Sequence, residues 1–287
     1  MPISFFVSDL HGRGTRYDRL FEAIEAERPG AVFLGGDLLP HPMASSGADT
    51  PARHDFVRDG LVAGFEKVRG RLGERYPRVF LILGNDDARV EEAGILRAEE
   101  QGAWTYAHGR RTVWGSFDVY GYAFVPPTPF RLKDWERYDV SRYVDPGCYP
   151  PEDGWHTVEV SESEMKLSTI AEDLGRLAGD GDLSWSVFLM HTPPHRTLLD
   201  RAALDGQHVD HVPLDVHVGS IAVRRFIEAR QPLVSLHGHV HESARLTGAW
   251  RDRIGRTHLF SAAHDGPELA LVRFDPEDLD AATRELI

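Results

Sequence analysis

Sulfur is nearly absent from this chain, and Cys148 is its one cysteine. An internal disulfide is therefore excluded, and so is a metal site built from thiolates. Basic residues are outnumbered: 32 Lys and Arg against 45 Asp and Glu give a formal charge of -13. That balance argues against broad adhesion to nucleic acid or anionic lipid, so long nucleic acid is not an expected partner. No apolar run approaches the length of a membrane span. The start, "MPISFFVSDLHG", lacks the basic and apolar segments of a secretory leader. A cytoplasmic location is the expectation. Repeats, low-complexity tracts and breaks in composition are also missing. The 287 residues are read as one domain, 1–287, with an irregular insertion at about 126–160.

What is present alternates. "ISFFVSD" (3–9), "AVFLGGD" (31–37) and "RVFLILGNDD" (78–87) are apolar runs of strand length that stop at polar residues. Between them, Tyr17, Leu20, Phe21 and Ile24 recur at helical spacing, as do Val57, Leu61, Phe65, Val68 and Leu72 within 54–76. Strand, helix, strand is the grammar of an α/β sheet, whose functional residues gather at the carboxyl ends of strands. Residues 105–125 carry the aromatic and β-branched pattern of antiparallel hairpins. Helices are expected at 161–179 and 219–230, and strands at 185–191, 232–240 and, last of all, 268–275.

The strand ends carry one class of chemistry. Asp9 and His11, Asp37, Asn85 and Asp86, His191, and His239 and His241 each follow an apolar run. All but Asp86 are read as oxygen or imidazole donors to divalent transition-metal ions. In D-x-H and H-x-H, residues i and i+2 of an extended segment point to one side and can reach one ion. Asp37 follows two glycines, which let the backbone approach a site closely. A carboxylate there could bridge two ions. Any fragment alone occurs by chance. The conjunction, in order and at successive strand ends, is specific.

D-x-H, G-D, G-N-x-D, a strand-end His and G-H-x-H in this order resemble the calcineurin-like metallophosphoesterase superfamily, over residues 9–241. "GSIAVRRFIEARQPLVSLHGHVHES" is similar to its prokaryotic small phosphoesterase branch. The resemblance implies a four-layer α/β/β/α sandwich of two mixed sheets, with a dinuclear site at the strand ends. It assigns Asp9, His11 and His241 to one ion, and Asn85, His191 and His239 to the other, with Asp37 bridging. Mn is the favoured metal, with Fe, Zn, Ni and Co also suited. Two ions about 3.5–4 Å apart can share a hydroxide that attacks a phosphate ester in line. The expected substrate is a small phosphate ester, a nucleotide among the candidates, with diesters favoured and monoesterase activity able to coexist. A homo-oligomer is compatible with the sequence.

One position departs from the pattern. Where many members have His after the Asn, this chain has Asp86, in "GNDD". The proton donor is then open, and Asp86, His195 and His217 are the catalytic candidates. The same substitution keeps an alternative in view, a catalytically weak or inactive scaffold for protein–protein interaction. His237 is expected to support the site without binding metal, and Asp87 to hold its loop. Phe130, Trp135, Tyr138 and Tyr143 are expected to pack the insertion onto the body. Arg131, Lys133 and Arg142 are read as solvated charges.

Overall fold

A computed structural model describes residues 3–41 and 55–287. Along the chain run β1 (Ser4–Val7), α1 (Gly14–Glu27), β2 (Ala31–Gly35), α2 (Ala63–Leu72) and β3 (Arg78–Ile82). Next come α3 (Glu92–Glu100), β4 (Thr105–Tyr106), β5 (Arg111–Trp114) and β6 (Phe117–Tyr122). After an irregular stretch follow α4 (Glu162–Leu167), α5 (Ile170–Ala178), β7 (Ser186–Met190), β8 (His208–Val209) and β9 (Val212–Pro213). Then come α6 (Ile221–Arg230), β10 (Val234–His237), α7 (Ser243–Thr247), β11 (Arg251–Ile254), β12 (Thr257–Ser261), β13 (Ala270–Asp275) and β14 (Asp278–Leu286).

Two six-stranded mixed sheets form, in the orders β14-β13-β1-β2-β3-β4 and β11-β12-β10-β7-β6-β5. In the first, β1 to β4 run parallel while β13 and β14 are antiparallel. In the second, β12, β10, β7 and β6 run parallel between antiparallel edges β11 and β5. β1, β2, β7 and β10 are buried at every position. That explains why they read as continuous apolar runs: strands covered on both faces have no polar side. The inner faces meet through aromatic rings. Phe33 lies 5.5 Å from Trp114 of the opposite sheet, and Phe260 lies 6.0 Å from Phe274. Outside the first sheet α1 and α2 pack through Phe21 and Phe65, rings 5.1 Å apart, and outside the second α5 packs on α6. The layers are α/β/β/α, as the resemblance implied.

The fold departs from the sequence reading at several elements. The helix expected over 161–179 is two helices, because the Thr169 side chain accepts from Glu172 N–H and starts α5 afresh. The helix expected over 54–76 opens as a wider π turn, Val57–Val62, before α2 (residue 54 lies outside the described residues). β13 is not the last strand. β14 pairs with it but buries only Leu279 and Ala282, too little for a readable pattern. The β11–β12 hairpin is a further element beyond the sequence expectations.

Residues 126–160 hold one short 3₁₀ helix, Pro151–Asp153, together with turns and isolated bridges. Buried and half-buried polar groups tie them down. Asp134 accepts from Arg89 N–H and Thr157 N–H, and Asp139 accepts from Ile221 N–H and Ala222 N–H at the start of α6. Trp135 and Tyr138 are buried, whereas Phe130 and Tyr143 are exposed, so only half of the aromatic group packs inward. Lys133 corrects the solvated reading. It is 1% exposed and paired with buried Glu136, the partner that a buried ammonium requires. Arg131 and Arg142 are exposed.

Candidate metal centre

The carboxyl ends of β1, β2, β3, β7 and β10 converge, and backbone bonds lock their loops together. Asp9 N–H donates to Gly36 O at 3.0 Å and His11 N–H to Asp37 O at 2.8 Å. The buried carboxylate of Asp87 accepts from Gly84, Leu38 and Leu39 N–H at 2.9, 3.1 and 2.7 Å. It thereby clamps the loop bearing Asp37 to the loop bearing Asn85. Bonds also cross between the sheets, among them His239 N–H to Asp9 Oδ1 at 3.0 Å and His191 Nδ1 to Gly35 O at 2.8 Å.

The side chains fall into two groups that share Asp37. Asp9, His11, Asp37 and His241 offer donor atoms all within 4.8 Å of one another. His241 Nε2 lies 3.1 Å from His11 Nε2 and 3.2 Å from Asp9 Oδ1. On the other side, His191 Nε2 lies 3.3 Å from Asp37 Oδ2 and 3.1 Å from Asn85 Oδ1. The His239 ring sits 5.2 Å from that of His191. A carbonyl only accepts, so the bond to Gly35 puts a proton on His191 Nδ1 and leaves Nε2 to face two oxygens. Asn85 gives its amide N–H to Asp86, which turns its own oxygen towards His191.

Several features suit a bound cation. Asp9 Oδ2 is buried with no hydrogen-bond partner among the described residues. A buried carboxylate oxygen left unpaired is costly unless a cation meets it. Asp9, His11, Asp37 and His239 all hold positive φ, at 59, 50, 52 and 72°. Non-glycine residues kept in that region are strained and cluster at functional sites. Space is also reserved. A Cβ on Gly84 would lie 2.4 Å from Asp37 Oδ1, and one on Gly238 would lie 1.9 Å from Ser8 Oγ and 2.7 Å from Asp9 Oδ2. Gly238 thus serves close approach of the two loops.

Electrostatics follow from the crowding. Burial alone would raise the Asp37 carboxyl, but the neighbouring His191 and His11 hold it down at about 2. Asp9 is likewise held below the ordinary carboxylate range, against burial, chiefly by His241. His191 is raised to about 10 against burial by Asp37 and Asp9, and His241 to about 9 by Asp9. The carboxylates draw positive charge onto the rings, the charge that metal ions would supply in their place.

The remaining candidates separate. Asp86 N–H donates to Asp37 Oδ1 at 2.8 Å, and its carboxyl stands 3.7 Å from His11 Nδ1, pushed up to about 7 by burial and Asp37. His237 is fully buried, its Nδ1 on Thr192 O at 2.9 Å, beside His191. His217 Nδ1 lies 2.9 Å from Asp200 Oδ1, while His195 stands 3.9 Å from the carboxylates of Asp200 and Asp215. Sequence reasoning missed Asp200 and also Arg16, whose buried guanidinium donates to the carbonyls of Asp9, His264 and Gly266. Arg16 carried no signal, because its partners are backbone atoms of distant loops.

Comparison with known proteins agrees with this architecture. A Thermus thermophilus protein of known structure superposes with TM-score 0.56 at 15% identity, over 99% of this chain and 98% of its own. A dimetal phosphatase from Danio rerio gives TM-score 0.51 at 13% identity, over 95% and 92% of the two chains. At such identities the likeness is one of fold. The sequence has no match among curated proteins. The calcineurin-like phosphoesterase family model matches residues 5–243, and with most of the chain covered, this protein belongs to that family.

Proposed function

We propose that this chain is a two-metal hydrolase of small phosphate esters, with diesters preferred. Asp9, His11 and His241 would hold one ion, Asn85, His191 and His239 the other, and Asp37 would serve both. The observation that carries the reading is the placement of Asp37, which lies within the Asp9 group and also 3.3 Å from His191 Nε2. When bound, divalent ions polarise phosphoryl oxygens and supply a nucleophile at neutral pH; Mn is favoured, and N/O donors accept Fe, Zn, Ni or Co. The chain's own residues orient the donors: Asp87 and the bond from His191 to Gly35 fix where oxygen and imidazole lone pairs point. Asp86 supports the diester preference. A carboxyl beside His11 disfavours a monoester, which approaches two negative charges, more than a singly charged diester. We read the chain as one domain acting in the cytoplasm. Among the described residues no helix is long and apolar enough to cross a membrane.

Elemental analysis of the Mn-loaded protein tests the site. About two ions per chain are expected, falling after Asp37→Ala or His239→Ala, whereas saturation at one ion in excess Mn would reject the shared carboxylate. Turnover of bis-p-nitrophenyl phosphate should exceed that of p-nitrophenyl phosphate in Mn, Ni or Co. Failure to hydrolyse either with both ions bound would favour the scaffold alternative.

A further inference from the structure

We propose that Asp200 is a positioning residue that holds His217, and not His195, as the proton donor to the leaving group; this rests on the phosphoesterase reading above. Asp200 is completely buried and its Oδ1 accepts from His217 Nδ1 at 2.9 Å, while the His217 side chain keeps 29% of its surface exposed. A ring pinned at Nδ1 by a buried carboxylate has one orientation and presents Nε2 outward. His195 lacks this arrangement, since both its nitrogens stand 3.9 Å from carboxylates, beyond hydrogen-bonding distance. The remaining capacity of Asp200 is used to fix the loop beneath the ring, accepting from Arg196, Thr197 and Gly219 N–H.

The pair is stitched between two site-bearing segments. Ser220 N–H donates to Pro193 O at 2.9 Å, two residues beyond His191. Arg201 N–H donates to Ser243 Oγ at 3.1 Å and Ala203 N–H to Glu242 Oε1 at 3.0 Å, immediately beyond His241. These bonds tie the loop that carries His217 to the segments that carry His191 and His241. Hydrolysis adds one water across a P–O bond. The hydroxyl goes to phosphorus and its proton to solvent. The departing oxygen takes a proton from His217 Nε2, while the Nδ1 proton stays hydrogen-bonded to Asp200, and the ring regains a proton from solvent.

Leaving-group dependence tests the assignment, because p-nitrophenolate departs without protonation and phenolate does so poorly. On metal-loaded protein, His217→Gln should lower kcat/KM for diphenyl phosphate by about 10²-fold or more. For bis-p-nitrophenyl phosphate the loss should stay under about 10-fold, with metal content unchanged. Asp200→Asn should reproduce that split, and His195→Gln should not. Equal losses on both esters, or none on diphenyl phosphate, would overturn the proposal. Asp200→Asn also removes loop anchors, so if it does not fold, His217→Gln carries the kinetic test. Ring-nitrogen NMR of the metal-free protein gives a separate reading: His217 should be protonated at Nδ1, and an unbiased tautomer mixture would also overturn the assignment. Wild-type protein that loads two ions yet hydrolyses neither ester would instead refute the functional reading, leaving the tautomer measurement to judge the pair.

Discussion

A methyl group is the smallest probe of how tightly the centre is built. At Gly238 it would meet Ser8 Oγ at 1.9 Å and Asp9 Oδ2 at 2.7 Å, with the backbone of Asp9 already held in a strained φ of 59°. Gly238→Ala should therefore cost about 1–3 kcal/mol in denaturant unfolding and lower metal loading together with it. Gly70→Ala is the control. Nothing lies within 4 Å of its added Cβ, on helix α2, so a gain of about 0.5–1 kcal/mol is expected. If both variants kept wild-type metal content and shifted stability equally, the packing argument at Gly238 would be wrong.

Among the elements, the irregular stretch before α4 is held by buried polar pairs as well as by the buried rings of Trp135 and Tyr138. Lys133→Met leaves Glu136 buried without its cation, its Oε atoms still served by Thr128, and should cost about 3–5 kcal/mol. Adding Glu136→Gln should recover much of that loss. A double-mutant cycle measures the recovery, and purely additive losses would show that the pair is not coupled. This part of the molecule also marks the limit of the sequence reading. Strands β1, β2, β3, β7 and β10 were legible because apolar runs stop abruptly at polar residues, and the donors stand at those stops. The groups that hold the loops were not. Asp139 caps a helix 82 positions away, at Ile221, and the fold decides whether Lys133 meets Glu136 or water. Asp200 lies 17 positions from His217, in a loop without periodicity. Their roles depend on spatial neighbours that no local pattern encodes.

For the molecule as a whole, stability should depend on pH through His108. Its Nδ1 accepts from Ala123 N–H at 3.0 Å, which requires an unprotonated nitrogen. Burial, then Arg89 and Arg137, lower the ring from 6.5 to about 3. The unfolded chain therefore takes up a proton before the folded one does. The stabilisation is complete above about pH 6.5 and is lost as pH falls from 6.5 towards 3. Between pH 7 and pH 5 the denaturation midpoint of the wild type should fall more than that of His108→Gln; parallel declines would remove His108 as the cause.

The order of strands in the first sheet has a further consequence, for synthesis. β1 lies between β2 and β13, the one made soon after it and the other more than 260 residues later, at Ala270–Asp275. As the chain emerges from the ribosome, Ser4–Val7 can pair on one side only and carries an open, wholly buried-type edge until the carboxyl-terminal strands arrive. His241 too is made more than 200 residues after Asp9. A nascent chain thus displays its carboxylates with only His11 beside them, long before His191, His239 and His241 share their charge, and the last strands both close the sheet and end the period in which that edge can recruit another copy.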